Sequence, residues 1–178
     1  MSTSSKPHIF NLCIFRNPLD DTRNNIAAAP ILLTYIEDLS PLPLFMRITN
    51  NVSETMLFLS RTLASKTNLS QRHGCTENEY TAWAYCRHDG LTAVAITSNN
   101  YSKRIIFNML NKAQSIYEAN QHNWTWSLTT IDQKHNPHIY DALTNLVQEY
   151  HHPKYILRNL SDPRWELVVS LSPDFFLF

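Results

Sequence analysis

Apolar positions change spacing repeatedly along this 178-residue chain, and each change predicts an element. Residues 8–15 (HIFNLCIF) and 31–36 (ILLTYI) are short apolar runs rich in β-branched and aromatic side chains, which predicts two strands. The stretch 17–30 between them carries paired Asp and Asn residues and two prolines, the composition of a loop. Pro41 and Pro43 then forbid a helix interior or a central strand. Beyond them the period becomes helical. Val52, Met56, Leu59 and Leu63 form one stripe at spacings of 4, 3 and 4, with Asn51 and Glu54 in the positions of an N-terminal cap. Phe58 lies off that stripe.

Alternation with period two returns over 71–77, 80–87 and 91–97. In the middle strand Tyr80, Ala82, Ala84 and Cys86 share one face, and Thr81, Trp83, Tyr85 and Arg87 share the other. Asp89-Gly90 between the last two strands is a tight-hairpin signal, because glycine accepts the positive φ of a primed turn. A second helix over 102–118 aligns Ile106, Met109, Leu110, Ala113, Ile116 and Tyr117. A polar connector, 120–136, contains Trp124 and Trp126. The last helix begins near Pro137, a residue suited to a first turn, and repeats Ile139, Leu143, Leu146, Val147 and Tyr150. The order is strand, strand, helix, three strands, helix, helix. It predicts an α+β domain over 8–150, with a largely antiparallel five-stranded sheet covered by helices on both faces. Residues 1–7 read as a disordered lead and 151–178 as a linker remnant and irregular tail.

Composition narrows the function. Fifteen basic residues balance fifteen acidic ones, so the chain lacks the basic stripe that a phosphate backbone requires, and no nucleic-acid partner is expected. The same neutrality removes the electrostatic route to an anionic membrane surface. Cys13, Cys75 and Cys86 are odd in number and scattered, which argues against a disulfide framework. Cys13 and Cys86 sit in apolar strands, as small buried hydrophobes do. The N-terminal MSTSSKP has no apolar signal-peptide core and no myristoylation glycine, and no run approaches the length of a membrane span. A cytoplasmic chain is the expectation. The five Asn-x-Ser/Thr triplets are then chance matches.

Several words in register give this order a family likeness. They are Asp38-Leu39-Ser40 leading to Leu44-Phe45-Met46-Arg47, Thr62-Leu63-Ala64-Ser65-Lys66-Thr67, Gln71-Arg72, and Asn78-Glu79-Tyr80. Ala84-Tyr85-Cys86-Arg87, Gly90, Ala95-Ile96-Thr97, Tyr101, Arg104, Leu110-Asn111-Lys112 and Glu149-Tyr150-His151-His152-Pro153 continue them. Over about residues 8–160 the chain resembles the longin domain of the Ykt6 family of prenylated R-SNAREs. The resemblance implies a profilin-like fold, with one helix on one sheet face and two on the other. It implies a regulatory module in vesicle-mediated transport between ER, Golgi and endolysosomal membranes. In that family a hydrophobic groove between the first helix and the third strand receives a SNARE motif or a lipid chain. Carried over, the groove residues are Phe58, Met56, Leu59, Arg72 and His73, although Met56 and Leu59 also lie on the core stripe. Trp124 and Trp126 are candidate interface anchors. Implied partners are SNARE proteins or trafficking-complex subunits, with only transient membrane association through them.

The chain departs from the family beyond Asp162. Asp162-Pro163-Arg164-Trp165 breaks any helix, and neither a heptad run nor a C-terminal Cys-a-a-X box follows. The expectation is a module without a fusion motif or a stable lipid anchor of its own, with 163–178 foreign to the family pattern. A rival reading is a stand-alone longin subunit of a coat adaptor or tethering complex. An enzyme is not expected: the chain has only Gly74 and Gly90, so it lacks a phosphate loop and a G-x-S-x-G elbow. His135, His138, His151 and His152 flank the last helix, but no H-E-x-x-H or C-x-x-C accompanies them. They are read as solvated, and neither a metal nor any other cofactor is expected.

Overall fold

The computed structural model describes residues 6–18, 29–49, 51–120, 127–133 and 137–151. The strands are β1 (Ile9–Arg16), β2 (Ile31–Glu37), β3 (Gln71–Glu77), β4 (Tyr80–Cys86) and β5 (Leu91–Ser98). The helices are α1 (Leu44–Thr49), α2 (Val52–Lys66), α3 (Lys103–Ala119) and α4 (Pro137–Tyr150). The strands pair antiparallel in the order β2-β1-β5-β4-β3. The predicted elements are all present. The short helix α1 is an addition: its single apolar turn and a half is too brief to show a helical period.

The central strands explain the layering. β1 and β5 are buried along almost their whole length on both faces, so helices must cover both. On one face Leu12, Ile14, Leu91, Ala93 and Ala95 pack against Ile105, Ile106, Met109 and Leu110 of α3 and Ile139, Leu143 and Val147 of α4. On the other, Cys13, Phe15, Ala84 and Val94 meet Leu63 and Ala64 of α2. Phe10, Met56 and Ile96 extend that second layer toward the start of α2. β4 alternates as read from its sequence, with Ala82 and Ala84 under α2 and Trp83 and Tyr85 on the α3 side. Gly74 of β3 lies opposite Trp83, where a Cβ would come within 3.0 Å of the indole ring. The absent side chain lets that ring lie against the strand.

Buried polar groups tie these layers. The β1–β5 register slips between Ile9 and Asn11, and there the Asn11 side-chain carbonyl accepts the Ile96 N–H at 2.9 Å. Asn11 Nδ2 in turn donates to Ser60 of α2 at 3.1 Å. Asn17 donates to the Ala64 carbonyl at the end of α2 at 2.7 Å. Gln114 of α3 reaches both the Tyr85 and Leu91 carbonyls, each at 2.9 Å, clamping the β4–β5 hairpin. The hairpin turns at Gly90, whose φ is 86°, as the Asp89-Gly90 signal requires.

The two outer strands are treated differently. Along β2, Leu32 donates its N–H to Asp132 Oδ1 at 2.8 Å, and its carbonyl accepts from Gln133 N–H at 2.7 Å. A connector segment therefore occupies that edge at Leu32. Among the described residues β3 pairs only with β4, and it is exposed at all seven positions.

Candidate functional site

The helix α2 carries the site, and its orientation follows from its sequence. By helical period Met56, Ser60, Leu63 and Ala64 occupy one side, and these are its four buried residues. The core stripe read as Val52, Met56, Leu59 and Leu63 is thus corrected: Ser60, not Leu59, faces the sheet. A serine is accepted there because the Asn11 amide supplies its hydrogen bond. Asn51 does precede the first turn, but with a left-handed backbone (φ 45°) and no side-chain cap bond.

One flank of α2 is pinned toward β2. Ser53 meets the Tyr35 hydroxyl at 3.1 Å. Arg61 donates to the Pro30 carbonyl at 2.6 Å and pairs with Asp132, also at 2.6 Å. Leu57 lies on the same flank and, like Tyr35, packs against the core layer beneath α2. Leu59 projects about 100° from Ser60 on the opposite flank, toward β4 and β3, and Phe58 about 160° away, over the top of the helix.

Exposure separates the candidates. Phe58 is 67% and Leu59 44% exposed, whereas Met56 is 5% exposed against Phe10 and Ile96. Met56 therefore supports the floor and does not line a surface. On α1, which packs on α2, Leu44, Phe45 and Met46 are 63%, 72% and 44% exposed. Five large apolar side chains on two adjoining helices are 44–72% exposed, and burying one fully is worth about 1.5–3 kcal/mol. The α1 residues were missed as site residues. Their signal was an apolar triplet directly after Pro43, too short for a period.

The strand register divides the two β3 candidates. His73 pairs with Ala84, so it shares the α2 face. Arg72 pairs with Tyr85 on the other face, where its guanidinium lies 5.2 Å from the Tyr85 ring centroid and 5.5 Å from that of Phe107. Arg72 thus belongs to the α3 side and not to a groove beside α2. Between α2 and β3 the strand β4 presents Ala82 and Ala84, small side chains that keep the floor low. Trp124, Trp126, His135, His152 and the segment 163–178 lie outside the described residues.

The cysteines carry no reactive signature. Cys13 is fully buried, and burial pushes its thiol up to about 12, against the opposing Ser60 hydrogen bond. Cys86 is buried and Cys75 exposed on β3.

This arrangement is an antiparallel sheet with one long helix beside an open edge strand and apolar side chains raised along that helix. The family model of the longin, regulated-SNARE-like domain matches residues 45–137, just over half of the sequence. The chain belongs to the longin family. Its relatives place this longin domain in the Ykt6 group. The synaptobrevin homolog YKT6 of Candida glabrata is 28% identical over 163 residues, 84% of this chain and 77% of that protein. That of Debaryomyces hansenii is 31% identical over 121 residues, 68% of this chain and 58% of that protein. The VAMP-like protein YKT62 of Arabidopsis thaliana is 28% identical over 143 residues, covering 75% and 71%. The longin domain described above is a Ykt6-like module of vesicle-mediated transport. No helix among the described residues is long and apolar enough to cross a membrane.

Proposed function

We propose that this longin module is a regulatory binding domain, not an enzyme, and that it receives an apolar SNARE-motif helix or a lipid chain in the trough between α2 and β3. The exposure of Leu59 on the flank of α2 that looks toward β3, and of Phe58 on the top of the same helix, carries this reading. An amphipathic helix laid along α2 would bury both residues, with Leu44, Phe45 and Met46 extending the apolar surface and His73 on the β3 rim. Met56 holds the helix from below, and Arg72 takes no direct part. The implied setting is the cytoplasmic side of Golgi and endosomal membranes, reached through SNARE partners.

The test is Phe58→Glu. Binding of a Ykt6-type SNARE-motif peptide, or of a fluorescent acyl probe, should weaken by about tenfold or more, equivalent to about 1.4 kcal/mol. The melting temperature should stay unchanged, since the side chain is outside the core. Unaltered binding, or an unfolded variant, would sink the assignment.

A further inference from the structure

We propose that His8, Asp38 and His151 form a binding site for a zinc-class divalent cation at the junction of β1, β2 and α4. The three residues come from the residue before β1, the residue after β2 and the residue after α4. One ligand atom from each lies within 4.8 Å of the other two. Asp38 Oδ2 is 3.6 Å from His8 Nε2 and 3.9 Å from His151 Nδ1. Zinc bonds of about 2.0–2.1 Å in tetrahedral geometry separate ligand atoms by about 3.3–3.4 Å. The two Asp38–histidine separations thus exceed the zinc spacing by a few tenths of an ångström, and the two histidine nitrogens, within 4.8 Å of each other, close the remainder by side-chain rotation. The two imidazole rings are already neighbours, with centroids 4.4 Å apart and planes tilted by 43°.

The surrounding bonds orient the donors. His151 Nε2 lies 3.3 Å from the Ile9 carbonyl, so an N–H there leaves the Nδ1 lone pair toward Asp38. A ring nitrogen held by a backbone carbonyl is the usual support of a metal-bound histidine. Asp38 Oδ1 accepts the Ser40 N–H at 3.0 Å, which turns Oδ2 to the histidines. In the metal-free form His8 Nε2–H donates to the Asp38 carbonyl at 3.0 Å, and a cation taken up there displaces that proton, the imidazole carrying its remaining N–H on Nδ1. All three residues are half-buried, which limits competition from water. Two imidazoles and one carboxylate favour zinc over calcium or magnesium, which prefer all-oxygen shells.

The site was not visible in the sequence, where His8 and Asp38 stand far from the histidines flanking the last helix. Bound metal would link both ends of the domain at the point where the chain leaves α4.

The experiment titrates zinc chloride into the EDTA-stripped full chain by calorimetry, with melting temperature read in parallel and cobalt(II) as a spectroscopic probe. One equivalent should bind, the melting temperature should rise, and cobalt should give the visible absorption of a tetrahedral site. His8→Gln/Asp38→Asn should lose more than about tenfold in affinity while melting near wild type in EDTA. His151→Gln, tested separately, provides the same readout if the double variant fails to fold. Metal binding that persists unchanged in these variants belongs to other histidines and overturns the proposal. So does the absence of both heat and a thermal shift.

Discussion

Single side chains decide where this domain is polar inside. Asn11 does the work of a missing backbone partner, taking the Ile96 N–H where the β1–β5 register slips and passing a bond to Ser60. Asn11→Ala would leave a buried N–H without its acceptor, so a loss of about 1–3 kcal/mol is expected in urea unfolding. The same pair explains a misreading. A serine on the sheet-facing side of α2 hid the true stripe, and Leu59 took its place in a purely apolar pattern. Where an inward side was apolar throughout, as at Ile139, Leu143, Leu146, Val147 and Tyr150 of α4, the periodicity located the residues described as buried. Phe58 stood off the stripe in the sequence and stands in water in the structure. Arg72 shows the opposite limit: its strand was legible, but its face depended on pairing with Tyr85.

Elements are joined by a small number of charged contacts. Arg87, at the end of β4, donates to Asp89 in the hairpin turn at 2.6 Å and to Glu118 at the end of α3 at 2.7 Å. The Arg87 hydrogen bond holds the Glu118 carboxyl below its ordinary range, outweighing the effect of burial. A carboxyl with a depressed folded-state pKa adds stability that is present above its unfolded value of about 4.5 and disappears as pH falls through the folded one. Wild type should therefore lose stability below about pH 4.5 more steeply than Glu118→Gln, as denaturant midpoints across an acid series would show. Equal acid slopes would mean that the α3 contact adds nothing to the hairpin. Strand and helix order was legible because each change of period was clear. The helix α1 was not, being shorter than two full turns.

At the scale of the molecule, β1 is the common wall of both cores, and its partner β5 lies some eighty residues away in sequence. The segment that matches the family model, 45–137, omits β1, β2 and most of α4. A fragment of those residues should not fold by itself: Ile105, Ile106 and Met109 would lose Leu12 and Ile14, and Leu63 would lose Cys13 and Phe15. Dispersed amide resonances from such a fragment would contradict this. The His8–Asp38–His151 cluster belongs to this scale too, since only the closed domain brings its members together. The unequal edges of the sheet carry a further consequence. Among the described residues, Asp132 and Gln133 take up Leu32 on the outer side of β2, while no strand pairs with the outer side of β3, so β3 offers the longer free backbone ladder to a neighbour. Antiparallel pairing of two such β3 edges would be two-fold and would give a ten-stranded pair.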